Sequence, residues 1–225
     1  MRPVLTNEEV AAFRADVCRV AEMLFARHGV EGVTMRQIAA ELGCSSTTAY
    51  RYFQNKDEIL TAVRVSAFNR FCEVIEDATR SSPDPQESAR NVGQAYLGFA
   101  LGSPDAYRMM FDLGQAAATG NAEVAEALAR AHRAMVGYLA PLIDLGILRG
   151  DAHALGQMLW ASAHGLVMLR LSGIVTDDAE LRQLHASTMS AIVRGVPQPT
   201  AGIRSPGIPK PISSSPARKA SRKTP

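Results

Sequence analysis

The 225 residues are 47% hydrophobic and 20% charged, with 24 Lys or Arg against 22 Asp or Glu. That is enough apolar chain to bury a core in one large domain or two small ones, and too much for a wholly disordered protein. No stretch approaches the roughly eighteen uninterrupted apolar residues of a membrane span, and the amino terminus lacks the basic start, apolar run and small-residue site of a signal peptide. A cytoplasmic protein is therefore expected. Cys18, Cys44 and Cys72 fall in predicted helices at wide spacing, without histidines at zinc-site intervals, and read as reduced core thiols. No metal or other cofactor is implied.

Charge is unevenly placed. Residues 196–225 hold Arg204, Lys210, Arg218, Lys219, Arg222 and Lys223 with no acid, which leaves 18 basic against 22 acidic residues, a net −4, for residues 1–195. A mildly acidic body with a basic end fits a ligand-regulated DNA binder and equally a solvated surface. Runs that alternate apolar and polar are almost missing, whereas apolar residues recur at spacings of three and four. The fold class is all-α, with about nine helices.

In chain order, residues 1–7 form a frayed arm. Val10, Phe13, Val17, Val20 and Leu24 then make one stripe of a helix ending near His28 and Gly29. Arg2 and Arg14 are either phosphate contacts or solvated. At Thr34 a capping box with Gln37 opens a short amphipathic helix through Met35, Ile38, Ala39 and Leu42. Gly43 supplies the positive φ that leaves the helix, and Ser45 or Ser46 caps a second one carrying Ala49, Tyr50 and Phe53. The result is helix, tight turn, helix. Its second helix offers Ser46, Thr47, Thr48, Tyr50, Arg51 and Tyr52, with no carboxylate between Glu41 and Asp57. Hydroxyls and a cation in that arrangement suit phosphates and base edges. Asn55 with Glu58 is a further capping box, starting a third helix at Lys56.

The order Ala21, Phe25, Gly29, Thr34, Ile38, Ala39, Gly43, Tyr50, Phe53, Lys56, Leu60 resembles the amino-terminal domain of the TetR family of bacterial transcriptional regulators over residues 10–65. The resemblance implies a homodimer whose second motif helices enter the major groove of a palindromic double-stranded operator. On that footing Thr34, Tyr50, Tyr52 and Lys56 are phosphate anchors, and Arg36, Ser46, Thr47, Thr48 and Arg51 are candidates for base edges. Arg51 stands where the family commonly has an aromatic, and Gln54 interrupts the basic run before Lys56. The DNA-binding domain is placed at 8–58, a helical ligand-binding and dimerisation domain at 59–195, and a Pro/Ser/Lys/Arg tail at 196–225.

The third helix runs through Ile59, Val63, Ala67, Phe71, Val74 and Ile75 to the break at Ser81–Pro85. A helix follows through Val92, Ala95, Tyr96, Phe99 and Ala100 to Gly102, then one that starts at Pro104 and carries Tyr107 to Gly114. Methionines beside aromatics in that segment suggest a pocket wall, although ordinary core would look the same. Residues 121–149 form a long helix in which Pro141 kinks the chain near Gly137–Tyr138. Asp151 caps the next, ended by Gly173, and Asp177 with Glu180 boxes the last. The TetR resemblance makes this final pair the dimer interface, with Ala161, Ala163, Gly165 and Ala191 small enough for close approach.

Trp160 to Gly165 resembles a Trp-x3-His-Gly signature of one TetR subgroup. Spacing of four puts indole and imidazole on one helix face, where they meet a ligand, meet each other or fill core. Candidate ligand contacts are Tyr96, Phe99, Met109, Met110, Leu113, Tyr138, Trp160, His164 and Met168, with Arg108 as a further polar point, and the effector expected is a small hydrophobic compound. His153 and His185 read as surface residues. The tail cannot offset its ordering entropy and either adds salt-sensitive DNA affinity or only solubilises.

Enzyme signatures are missing: there is no Glu-x-x-His pair, no Gly-x-Ser-x-Gly elbow and no phosphate-cradling glycine loop with a Lys. No catalytic residue is assigned. The expected function is a ligand-released repressor, with a ligand-independent architectural DNA binder as the alternative.

Overall fold

A computed structural model describes residues 6–111 and 121–195. Residues 1–5 of the frayed arm expected at 1–7, the end of the Met-rich segment with candidate Leu113, and the basic tail at 196–225 lie outside the described residues. Among those described there are ten α-helices and no strand: α1 Asn7–His28, α2 Met35–Glu41, α3 Ser46–Tyr50, α4 Lys56–Arg80, α5 Pro85–Gly102, α6 Pro104–Phe111, α7 Ala122–Gly137, α8 Ala140–Asp144, α9 Ala152–Leu171 and α10 Asp178–Gly195. Ten replaces about nine because Pro141, which has no amide to donate, divides the 121–149 segment at Tyr138 and Leu139.

Side-chain caps set the helix starts. Thr6, expected in the arm, forms a capping box with Glu9 and fixes α1 one residue later. Thr34 and Gln37 box α2 as their spacing predicts. Ser45, rather than Ser46, caps α3 by accepting from Thr48 N at 3.1 Å. Gly43 turns the chain between them at φ 67°. Cys44 therefore sits in the turn and not in a helix.

Two main cores lie along α4. In the head, Val17, Val20, Ala21, Leu24 and Phe25 of α1 close on Ile38, Ala39, Ala49 and Phe53, and Ile59, Leu60 and Val63 of α4 complete the cluster. In the body, Phe68, Phe71, Cys72 and Ile75 of the same helix meet Val92, Tyr96 and Phe99 of α5, Met135 of α7 and Val167 of α9. The packing boundary thus falls inside α4, near Arg64. A smaller third cluster joins Leu139, Leu142 and Leu148 to Leu155 and Leu159.

Gly156 lets α9 lie directly on α7: a Cβ added there would stand 2.6 Å from Val136 Cγ2 and 3.4 Å from the Met135 carbonyl oxygen. His185 of α10 seats on Gly93 of α5 in the same way, 3.0 Å from where a Cβ would be. His153 and His185 are both half-buried instead of lying on the surface, because these helices approach closely enough to cover them.

Phe71 is completely buried and packs edge-on against Tyr96 and Phe99. Phe71→Ala is expected to cost about 3–5 kcal/mol, read as a lower urea midpoint at unchanged slope.

Candidate nucleic-acid interface

The second motif helix is shorter than its sequence suggests. It spans Ser46–Tyr50, with Arg51 as its carboxyl cap and Tyr52 and Phe53 beyond it. Thr34, Arg36, Thr47, Tyr50 and Arg51 are exposed, Tyr50 at 53%. Ser46, Thr48, Tyr52 and Lys56 are half-buried. Several of these groups already have work inside the head. The Thr34 hydroxyl bonds Gln37 at 2.8 Å, and the Thr48 hydroxyl shares a 2.9 Å hydrogen bond with Ser45. Tyr52 lies on Phe13 with ring centroids 4.3 Å apart. Lys56 Nζ donates to the Val30 carbonyl at 2.8 Å and stands 3.6 Å from Glu31. What remains directed outward is a surface of threonine, tyrosine and two arginines, Arg36 and Arg51.

A residue left undecided by the sequence braces this surface. Arg14 of α1 lies 4.0 Å over the Phe53 ring, donates to the Tyr52 carbonyl and pairs with Glu58 at 3.3 Å. Glu58 also accepts from Gln54 N at 2.7 Å. Its carboxylate thus reaches one residue before the cap, so Asn55 caps α4 without the reciprocal half of the box expected. Arg14 fixes the end of the motif to α1 and α4 and is not merely a solvated arginine. The only signal in the sequence was its position one residue after Phe13 on the helix stripe.

In the body, Tyr96 Oη and Tyr107 Oη are 2.6 Å apart, and Tyr107 Oη is 2.8 Å from His164 Nδ1. Tyr107, which the sequence did not single out as a ligand contact, is the link that joins Tyr96 to His164. Burial pushes both phenols up, and the Tyr138 phenol up to about 12. Phe111 completes the group, 4.6 Å from the His164 ring and 6.1 Å from Trp160. Phe99 and Met110 are buried in the same core, and Tyr138 packs at its edge. Two candidates go elsewhere: Met109 is buried in the head core, and Met168 is 42% exposed. Arg108 reaches the Leu171 carbonyl at 3.2 Å. A groove of about 440 Å³ opens between α4 and α7, lined by Val65, Asn69, Ala122, Glu123, Glu126, Ala127 and Arg130 and by none of the candidates.

Cys18 and Cys72 are pushed up to about 11 by burial, which keeps them protonated and unreactive near neutrality. Among the described residues, no three His, Cys, Asp or Glu gather to hold a metal ion, and no helix is long and apolar enough to cross a membrane.

Residues 18–63 match the model of bacterial regulatory proteins of the tetR family, and residues 89–192 match the tetracyclin repressor-like C-terminal domain. The chain belongs to the TetR family. Members of that family are helix-turn-helix transcriptional regulators, typically repressors and not enzymes. Among similar proteins, the uncharacterised regulator Rv0472c of Mycobacterium tuberculosis is 29% identical over 140 residues, covering 60% of this chain and 55% of that one. The repressor AcnR of Corynebacterium diphtheriae is 29% identical over 75 residues, 33% of this chain and 40% of its own. The chain thus aligns with about half or less of these relatives' length. The fold is that of a Rhodococcus protein of unknown function (TM-score 0.72, 24% identity, covering 82% and 95% of the two chains). It is also that of Bacillus subtilis FadR in complex with stearoyl-CoA (TM-score 0.68, 21% identity, covering 81% and 98%).

Arg14→Met keeps the stem over Phe53 but leaves the Tyr52 carbonyl and Glu58 without their partner. Both ends of the pair are partly exposed, so a stability loss of about 1 kcal/mol is expected, with a larger proportional loss of DNA affinity; chemical unfolding and a DNA titration read the two.

Three body histidines are held below the ordinary imidazole range by burial: His132, also disfavoured by His153, and His164 and His185. They stay neutral in the folded protein and take up protons on unfolding near pH ~6.5. Their contribution is complete above that value and is lost as pH falls below it. The melting temperature should therefore drop between about pH 7 and about pH 5, and drop less in a His164→Asn variant.

Proposed function

We propose that the protein is a homodimeric repressor that holds a palindromic operator through the two heads and leaves it when a small hydrophobic compound binds the body. The observation that carries the DNA reading is the outward face of α2 and α3, where Arg36, Thr47, Tyr50 and Arg51 are exposed around a helix too short to reach far along a groove. In this reading Arg36 and Arg51, with Ser46, Thr47 and Thr48, meet base edges, while Thr34, Tyr50, Tyr52 and Lys56 hold phosphates.

Dimerisation through α9 and α10 is supported by the apolar surface they leave outside: Met158, Met168, Leu169, Leu184 and Val193, with Ala161, Gly165 and Ala191 exposed between them. Ala163 turns inward to the body core and takes no part. Coupling is supported by α6, which sends Met109 into the head core and Tyr107 and Met110 into the body core. Arg64 of α4 donates to the Met110 carbonyl at 3.3 Å. A compound that binds the body better in one arrangement of α6 shifts the heads to the spacing that goes with it.

Selection from random duplex DNA on the full-length protein at two salt concentrations tests the reading. A palindrome with half-sites about one helical turn apart, ~34–36 Å, or a multiple of it is expected; purely salt-sensitive, sequence-independent binding would overturn it. On the selected operator, Arg51→Ala should cost ~1–3 kcal/mol and relax one base position, whereas Lys56→Met should weaken all sequences alike. Equal loss at every position for Arg51→Ala would remove it from base reading.

A further inference from the structure

Along α9, His153, Trp160 and His164 follow one another at spacings of seven and four, one side of the helix. His132 of α7 faces that side, its ring 4.7 Å from His153 and 6.3 Å from Trp160. Phe111 of α6 closes the other end against Trp160 and His164. Within this aromatic wall two nitrogen atoms, Trp160 Nε1 and His132 Nε2, are buried with no hydrogen-bond partner. Trp160 Nε1–H is close enough to the Tyr96 hydroxyl to favour its ionised form as a weak donor, but falls short of full hydrogen-bonding geometry, and the strong bond of that hydroxyl is the one to Tyr107 at 2.6 Å.

Buried polar atoms without partners are costly and rare in a folded core, and two on neighbouring rings of facing helices form a pattern. Their chemistry is complementary. The indole N–H only donates, and a neutral imidazole nitrogen accepts. His132 is kept neutral by its burial and by His153.

We infer that Trp160 and His132 are the polar end of the effector site and that they read the hydroxyl of an aromatic compound. The hydroxyl oxygen accepts from Trp160 Nε1–H and its hydrogen is given to His132 Nε2, while Phe111 and His164 flank the ring. A carboxylate suits the place poorly: it gives His132 no hydrogen, and none of the rings around it carries a fixed positive charge. The inference rests on the reading of the body as the effector-binding domain.

The test uses the full-length protein with phenol, toluene and benzoate, followed by calorimetry and by the emission of Trp160, the single tryptophan of the chain. Phenol should bind and shift that emission, with toluene and benzoate at least about tenfold weaker, since a site built for a hydroxyl rejects analogues that lack it. Trp160→Phe and His132→Leu should each lower phenol affinity about tenfold and leave toluene binding unchanged. Equal affinity for phenol and toluene, tighter binding of benzoate, no phenol binding, or folded variants that keep phenol affinity would each overturn the inference. The ranking of the three probes on the unaltered protein decides it even where a variant fails to fold. Operator binding is measured alongside: an intact operator complex without phenol binding removes this inference alone, whereas loss of any operator preference removes the regulator reading.

Discussion

A single uninterrupted helix belongs to two hydrophobic cores. Ile59, Leu60 and Val63 of α4 are buried among α1, α2 and α3, and Phe68, Phe71, Cys72 and Ile75 are buried among α5, α6 and α7. Because a packed interior resists small displacements, neither core can shift against α4 without breaking contacts that the other requires. Arg64 stands between the two and ties α4 to the backbone of α6. The head is therefore held at one attitude to the body by the stiffness of 25 helical residues, with no linker to absorb a change.

Within the head, local signals and global packing agree. Thr6, Thr34, Ser45 and Asn55 each accept from the backbone amide three residues ahead, so every helix start in the head is specified by a neighbour in sequence. Non-local ties then orient the helices: Arg14 crosses from α1 to the end of α3, and Lys56 reaches back to the loop after α1. Arg70 and Glu22 pair between α4 and α1 on the outside.

Most of the fold was legible because helix signals are local. Caps, the glycine turn at Gly43, and Pro141 with its break are all written within four residues of where they act. The motif helices and the long α4 follow from these, as does the family resemblance. What escaped depends on partners distant in sequence. Nothing in the 14th position tells that Tyr52, Phe53 and Glu58 will surround it. Met109 and Met110 are adjacent and equally apolar, yet a helix turns successive residues about 100° apart, so one enters the head and the other the body. His153 and His185 looked like surface residues because the glycines that let helices cover them, Gly156 beside Val136 and Gly93 beneath His185, lie on other elements or other turns. Tyr107 was legible as core but not as the centre of a three-residue hydrogen-bonded chain, which only tertiary structure assembles.

The contact at Gly156 also bears on how such a protein transmits force. Where α9 meets α7 there is no side chain to act as a cushion, since a Cβ would collide with Val136 Cγ2 and touch the backbone beside it. Two helices seated on each other in this way behave like meshed gears rather than greased surfaces. Arg130 of α7 grips Glu76 of α4 through paired bonds of 2.9 and 2.7 Å, adding a second tooth to the train. A displacement imposed on α9 is thus delivered to α4 with little slack.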